Sequence, residues 1–251
     1  MITFRLLPRE KVLLPACLVL LVGLFVAVAP GRPLALLDDA LLVWIGDHLH
    51  GWVGDGLTQV YRATGVGFTA VLVAMALTLL VLRRWWKDLR LLVMATGGIL
   101  ILVDLVFKPL FSRNRPPGSL LPLDGHSFPS GHAAGAVAFY FAMVVILGAH
   151  HPRLRRLLMV GACLLVGLVW LSTLYVRAHW PTDLVAGAAV GLAWLTVCLA
   201  FWREPVAAHL QSGTVRPLRS LDHRPAHLRP GRSEGTPISP SARRRSGPPA
   251  A

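Results

Sequence analysis

Residues 132–149 read HAAGAVAFYFAMVVILGA, with no charge beyond the histidine that opens them. A bilayer's hydrocarbon core is about 30 Å thick and takes roughly 20 apolar residues to cross as a helix, so a run of this kind belongs in lipid. Working outward, similar runs lie at approximately residues 12–30, 66–82, 91–108, 157–175 and 183–202. The expected fold is all-α, a bundle of six transmembrane helices. At 55% hydrophobic and 15% charged residues in a chain of 251, the composition excludes an ordinary soluble domain. The net charge of +13 does not mark a nucleic-acid partner, because the basic residues form short clusters between apolar runs and one long tail. Cys17, Cys163 and Cys198 each sit inside an apolar run and read as small buried hydrophobes, with no disulfide framework or metal site implied.

Between the first two runs, Leu34 to Tyr61 carries Asp38, Asp39, Asp47, Asp55, His48 and His50 among leucines and tryptophans at roughly helical spacing. This predicts one or two interfacial helices whose acids and histidines form a solvated face. The first run follows Arg5, Arg9 and Lys11 and ends near Ala27-Val28-Ala29, the outline of a secretory signal; its length, and Pro30 directly after the would-be cut, favour a retained span. Loop charge sets orientation. Arg5, Arg9 and Lys11, then Arg83, Arg84, Lys87 and Arg90, then Arg153, Arg155 and Arg156, and finally nine arginines after Trp202 fall on one side of a six-span bundle. That side is read as cytoplasmic, with both termini inside a multi-pass cell-membrane protein, and segment 34–61, loop 109–131 and turn 176–182 on the periplasmic or extracellular side. Arg113 and Arg115 run against the rule. Residues 1–202 form the expected membrane domain, and residues 203–251, rich in Arg, Pro, Ser and Gly, a disordered cytoplasmic tail suited either to attracting anionic headgroups or to plain solubility.

Charges kept at span ends on the outer side are the first functional candidates. Lys108 closes the third run, and Pro109 behind it disfavours continued helix, leaving the ammonium at the membrane surface. Asp104, one turn earlier, is placed either to pair with it or to face a polar interior cavity, in a supporting role. Arg115-Pro116 adds a guanidinium on stiffened backbone, and the two cations together make an anion clamp. Phe128-Pro129-Ser130-Gly131-His132 opens the fourth run: Ser130 suits an N-cap, Gly131 lets an anion approach bare amides at the positive helix end, and His132 reaches a bound phosphate from the first turn. His179-Trp180-Pro181-Thr182-Asp183 opens the sixth, with Pro181 apt for the first helical position. His179 and Asp183, four apart, allow the carboxylate to accept a hydrogen bond from one imidazole nitrogen and leave the other outward. Such a pair fits a base, a nucleophile, a metal ligand with its outer partner, or a helix cap.

Together these residues resemble the type 2 phosphatidic acid phosphatase superfamily, the lipid phosphate phosphatases, in its bacterial integral-membrane form. Its first motif, Lys, six residues, Arg-Pro, corresponds to Lys108 through Arg115-Pro116; its second, Pro-Ser-Gly-His, to Pro129 through His132; its third, Ser-Arg, five residues, His, three residues, Asp, to Ser172-Thr173 through His179 and Asp183. The resemblance implies metal-independent, cofactor-free phosphoryl transfer in two steps. His179 would attack phosphorus and become phosphohistidine, Asp183 would orient it, and His132 would protonate the leaving group. Lys108, Arg115, Ser130 and the Gly131 amide would hold the phosphate oxygens. Thr173 stands where the family has arginine, and Arg177, four residues on, is the candidate replacement.

The expected function is hydrolysis of a phosphate monoester or diphosphate on an isoprenoid or glycerolipid presented from the outer leaflet, with undecaprenyl diphosphate, phosphatidylglycerol phosphate, phosphatidic acid and lipid A phosphate all fitting. Two other readings stand beside it: a non-catalytic lipid-binding scaffold that lost turnover through Thr173, and a lipid-to-lipid phosphotransferase. Membrane lipids and the lipid phosphate are the expected partners. The related haloperoxidases are soluble, which disfavours that chemistry.

Overall fold

The computed structural model describes residues 7–28 and 33–203. These form helices α1 (Pro8–Ala27), α2 (Pro33–His48), α3 (Trp52–Ala63), α4 (Val66–Leu82) and α5 (Trp86–Leu100), a π-helical stretch (Ile101–Phe107), α6 (Lys108–Phe111), α7 (Gly131–His150), α8 (Arg155–Tyr175) and α9 (Pro181–Arg203). No strand occurs among the described residues. Beyond Arg203 the Arg/Pro-rich tail lies outside them, as do Arg5, Ala29 and Pro30 of the signal-cleavage alternative.

Five helical stretches are long and apolar enough to cross a bilayer: Pro8–Ala27, Trp86–Phe111, Gly131–His150, Pro152–Tyr175 and Pro181–Arg203. A sixth is reached if α3 and α4, which meet across a 53° bend, are taken together as one span. Leucines and valines such as Val12 and Val19 on α1 and Leu157 and Leu164 on α8 face outward, as lipid contact requires. The third run departs from expectation at Pro109, which does not stop the helix. A π-helical stretch precedes it, and this looser i→i+5 bonding admits a ring without an N–H; the helix then ends at Ser112, whose φ is +47°.

Three contacts fix which helix ends share a side. Glu10 of α1 pairs with Arg203 of α9. Asp88 of α5 accepts the Trp202 Nε1–H at 2.8 Å and faces His150 Nε2 at 2.8 Å. The start of α5 and the ends of α7 and α9 therefore meet at one end of the bundle, with the basic cluster of residues 83–90 beside them. The ends of α6 and α8 and the starts of α7 and α9 meet at the other.

Helices α7 and α9 touch backbone to backbone. A Cβ on Gly187 would lie 2.4 Å from the Ser130 carbonyl oxygen, and one on Gly191 2.7 Å from that of Ala134. Close approach through small residues is how membrane helices gain packing when lipid tails offer no hydrophobic contrast. Around this seam Leu21, Ile99, Val103, Phe128, Ala134, Ala138, Ala186 and Val190 form one buried cluster.

The 34–61 segment is helical as expected, yet its acids do not all face water. On α2 the residues Asp38, Leu42 and Ile45 are buried at 2–3% exposure, an i, i+4, i+7 stripe, while Leu36, Leu37, Leu41 and Trp44 face outward. Asp38 thus belongs to the packed stripe, because a guanidinium meets it there, whereas Asp39, Asp47, Asp55, His48 and His50 are exposed.

The α7–α9 seam yields a stability prediction. Gly187→Ala, whose methyl would meet main-chain atoms that no rotamer can move, lowers stability by about 1–3 kcal/mol. Gly161→Ala on α8, where nothing lies within 4 Å, leaves it unchanged or raises it. Thermal unfolding in detergent measures both.

Candidate active site

Helix α9 opens with Pro181 at a position whose N–H would have no intrahelical partner. Asp183, in the first turn, has no exposed surface. Its Oδ2 accepts the Trp180 N–H at 2.9 Å, its Oδ1 accepts Arg113 Nη1–H at 2.6 Å, and the positive end of the helix favours its charge. Its main-chain carbonyl accepts the Ser130 N–H at 3.0 Å, tying the start of α9 to the start of α7.

His179 is buried just before α9, with Nδ1 2.8 Å from the Ser127 carbonyl oxygen and 3.6 Å from Asp183 Oδ2. The expected hydrogen bond to the carboxylate is replaced by one to the backbone, since 3.6 Å is beyond hydrogen-bond reach; Asp183 acts on the ring as a nearby charge. With Nδ1–H given to Ser127, the lone pair of Nε2 is left for chemistry. Ser127 is itself fixed, its N–H donating to Arg113 O at 2.8 Å and its hydroxyl to Asn114 O at 3.0 Å. Burial holds the His179 pKa below the ordinary imidazole value; the Asp183 charge opposes this and Arg115 adds to it.

His132 stands in the first turn of α7, its ring centroid 6.2 Å from that of His179 and 5.4 Å from that of Tyr61 on α3. Ser130 caps α7 as expected, its Oγ accepting the Ala133 N–H at 3.3 Å. Lys108 donates to Asp104 Oδ1 at 2.6 Å, and its Nζ lies 3.9 Å from where a Cβ would stand on Gly131. The bare face of Gly131 is thus turned toward an ammonium.

Arg115 donates from Nε and Nη2 to the Asp124 carbonyl at 3.1 and 3.0 Å, and from Nη1 to the Ala178 carbonyl at 2.7 Å. Both acceptors of these three bonds are neutral main chain, so the guanidinium is immobilised beside His179 with its charge unspent and two N–H groups left over.

Arg177 is placed differently. It occupies the left-handed region at φ +54°, donates from Nη1 to Pro117 O at 3.4 Å, and lies 3.8 Å from where Cβ atoms would stand on Gly46 and Gly118. Its guanidinium lies against α2 and the 117–118 loop, not against the two imidazoles. Thr173 is fully buried and its hydroxyl donates to Val169 O at 2.6 Å within its own helix.

Three groups escaped the sequence reading. Arg113 bridges Asp183 and Asp38; the Ser127 carbonyl orients His179; Tyr61 flanks His132. Only Arg113 left a signal, as a second cation in the loop where loop charge disfavours any. The assembled site offers a neutral imidazole with a free nitrogen, a second imidazole across from it, two cations and the amino end of a helix, a set matched to attack on a tetrahedral anion.

Residues 90–206 match the PAP2 superfamily. Phosphatidylglycerophosphatase B of Bacillus subtilis (strain 168) is 28% identical over 147 residues, 56% of this chain and 71% of that protein. Lipid A 1-phosphatase of Rhizobium johnstonii is 35% identical over 88 residues, 33% of this chain and 32% of that protein. Glucose-6-phosphatase catalytic subunit 1 of Haplochromis xenognathus is 38% identical over 77 residues, 27% of this chain and 28% of that protein. The chain therefore spans about seven-tenths of the first relative and about a third of the other two. The crystal structure of a transmembrane PAP2 type phosphatidylglycerolphosphate phosphatase from Bacillus subtilis shares the fold, with a TM-score of 0.67 at 22% identity over 78% of this chain and 96% of that one. Residues 90–206, just under half of this multi-pass membrane chain, hold both histidines, Asp183 and every candidate phosphate ligand, and it is this stretch that is similar to the PAP2 superfamily.

Proposed function

We propose that the chain hydrolyses a phosphate monoester or diphosphate of an isoprenoid or glycerolipid through a phosphohistidine on His179, at the outer face of the cell membrane. The observation that carries the reading is the Ser127 carbonyl at 2.8 Å from His179 Nδ1, which leaves Nε2 as the nucleophile with His132 across from it. In the first step Nε2 attacks phosphorus, the phosphorus–oxygen bond to the leaving group breaks, and His132 supplies its proton to the departing oxygen. In the second, water attacks the phosphohistidine, His132 takes the proton, and phosphate leaves. Lys108, Arg115, Ser130 and the Gly131 amide meet the equatorial oxygens, where charge accumulates.

The outward orientation is supported by the collection of Arg83, Arg84, Lys87 and Arg90 at the bundle end opposite the histidines. A lipid is the fitting substrate because the site is built from helix ends that open at the headgroup layer, where a phosphate can approach while its tails stay in the bilayer. The names of the Bacillus and Rhizobium relatives point to phosphatidylglycerol phosphate and lipid A phosphate as the first to try; an isoprenoid diphosphate has the same reacting group.

The decisive experiment measures phosphate release by purified protein on a lipid-phosphate panel, wild type against His179→Ala, with an alkaline denaturing quench of the reaction on labelled substrate. Wild type turns over and traps an acid-labile, base-stable phosphoprotein; His179→Ala loses at least about a thousandfold and traps none. Turnover in His179→Ala would refute the nucleophile. A wild type inert on the whole panel would favour the lipid-binding scaffold, which the loss of arginine at Thr173 supports.

The pH profile follows from the sign of the His179 shift. A lowered pKa keeps the imidazole neutral below the ordinary value of 6.5, so on the acid side activity is lost only as pH falls through the depressed pKa. The acid limb of kcat/KM accordingly lies below pH 6.5. A limb at or above that value contradicts the assignment.

Arg115→Ala is expected to lower kcat by about 100- to 1,000-fold, the usual loss when one charge-stabilising donor is removed. Arg177 completes the phosphate set only if it leaves the Pro117 carbonyl when substrate binds. A loss in Arg177→Ala comparable to that in Arg115→Ala supports this, and unaltered turnover in Arg177→Ala removes Arg177 from the set.

A further inference from the structure

Asp183 does not meet Arg113 alone. Arg113 Nη1 donates to Asp183 Oδ1 at 2.6 Å and to Thr182 Oγ1 at 2.8 Å, while Nη2 donates to Asp38 Oδ2 at 2.8 Å. Asp38 in turn accepts the Thr182 N–H on Oδ1 at 3.0 Å and the Thr182 hydroxyl on Oδ2 at 2.5 Å. Trp180 covers the guanidinium at 5.1 Å. The side chains are 2%, 13% and 0% exposed for Asp38, Arg113 and Asp183, so the cluster is shut away from water. Two buried carboxylates share one guanidinium, and the cluster carries one net negative charge.

That sharing has an electrostatic consequence at His179. A guanidinium bound to Asp183 alone would cancel most of its field, and an imidazole that gains positive charge on phosphorylation would lose its counter-charge. A second carboxylate on the far side of the guanidinium restores the missing negative charge without displacing Asp183. We infer that Arg113 and Asp38 are positioning residues for the phosphoryl transfer, Arg113 holding Asp183 at its distance from His179 and Asp38 keeping the pair net negative, so that α2 is part of the catalytic machinery. The inference rests on the phosphohistidine reading above. It also explains why α2, otherwise held by Leu42 and Ile45, turns an acid into the bundle.

His179 is faced by Asp183 from α9, by Arg115 and the Ser127 carbonyl from the 112–130 loop, and by His132 from α7; Tyr61 on α3, and Lys108 with Asp104 at the α5–α6 end, lie beyond or beside His132. None of these groups is itself replaced by substitutions at positions 38 and 113, so a change in His179 titration is passed on through the cluster.

The test compares the acid limb of kcat/KM in wild type, Asp38→Asn and the double variant Asp38→Asn/Arg113→Gln, on the lipid phosphate that wild type hydrolyses fastest. Asparagine still accepts the Thr182 N–H, which keeps α2 docked. Asp38→Asn leaves the guanidinium wholly to Asp183 and moves the limb to lower pH by roughly one unit. The double variant removes that cation and moves the limb back up, past the position in Asp38→Asn. Limbs that coincide in all three proteins, or a double-variant limb no higher than that of Asp38→Asn, overturn the positioning role; a purely structural cluster changes the amount of active protein and not the limb. If wild type hydrolyses no lipid phosphate, the phosphohistidine reading fails on its own, and NMR titration of His179 in 15N-histidine-labelled wild type and both variants reads the same two shifts and decides the positioning role separately.

Discussion

An ionised carboxylate without solvent exposure at the mouth of a membrane helix stands only where its charge is met on every side, and Asp183 is such a group. The Trp180 N–H, the start of α9 and the Arg113 guanidinium meet it. The last of these organises the site, because the loop that carries Arg113 also carries Arg115 and Ser127. Once Arg113 reaches Asp183, Arg115 is brought to the Ala178 carbonyl and the Ser127 carbonyl to His179 Nδ1. Satisfying one buried charge therefore sets both the position of the Arg115 guanidinium and the orientation of the His179 ring.

The second half of the site depends on backbone contact. Because Gly187 and Gly191 carry no Cβ, α7 comes close enough for the Ser130 N–H to bond the Asp183 carbonyl, and His132 arrives beside His179 as a result. Ser130 serves three ends at once: it caps α7, ties the two helices and leaves the amino end of α7 turned toward the cations. All of these parts lie at one end of the bundle, opposite the basic cluster of residues 83–90.

The fold was legible because lipid forbids the alternatives: uninterrupted apolar runs bounded by arginine and proline have one solution, and the observed helices follow those runs to within a few residues, except where the π-helical stretch carries the third span past Pro109. The motif residues were legible by spacing, and Lys108, Arg115, Ser130, His132, His179 and Asp183 do converge. What escaped was everything that depends on register or main chain. Asp38 looks like Asp39 and Asp47 in a polar-flecked segment; only its phase with Leu42 and Ile45 separates a buried acid from a solvated one. The Ser127 carbonyl has no sequence signature at all, and its position displaced the expected carboxylate bond to His179. Arg177 was chosen for its distance along a helix from Thr173, but the chain leaves the helix at Tyr175 and turns through φ +54° at Arg177, which redirects the side chain toward α2.

The central claim is spatial: two imidazoles and two cations from separate segments surround one tetrahedral anion, with His179 Nε2 as its covalent partner. Vanadate adopts the geometry of phosphorus in flight, so a crystal or cryo-EM structure of the protein soaked with orthovanadate tests it most directly. The expected result is vanadium bonded to Nε2 of His179, with its oxygens within hydrogen-bond distance of Lys108, Arg115, His132 and the Gly131 amide. Vanadate bound elsewhere, or bonded to His132 with Nε2 of His179 left uncoordinated, would contradict it.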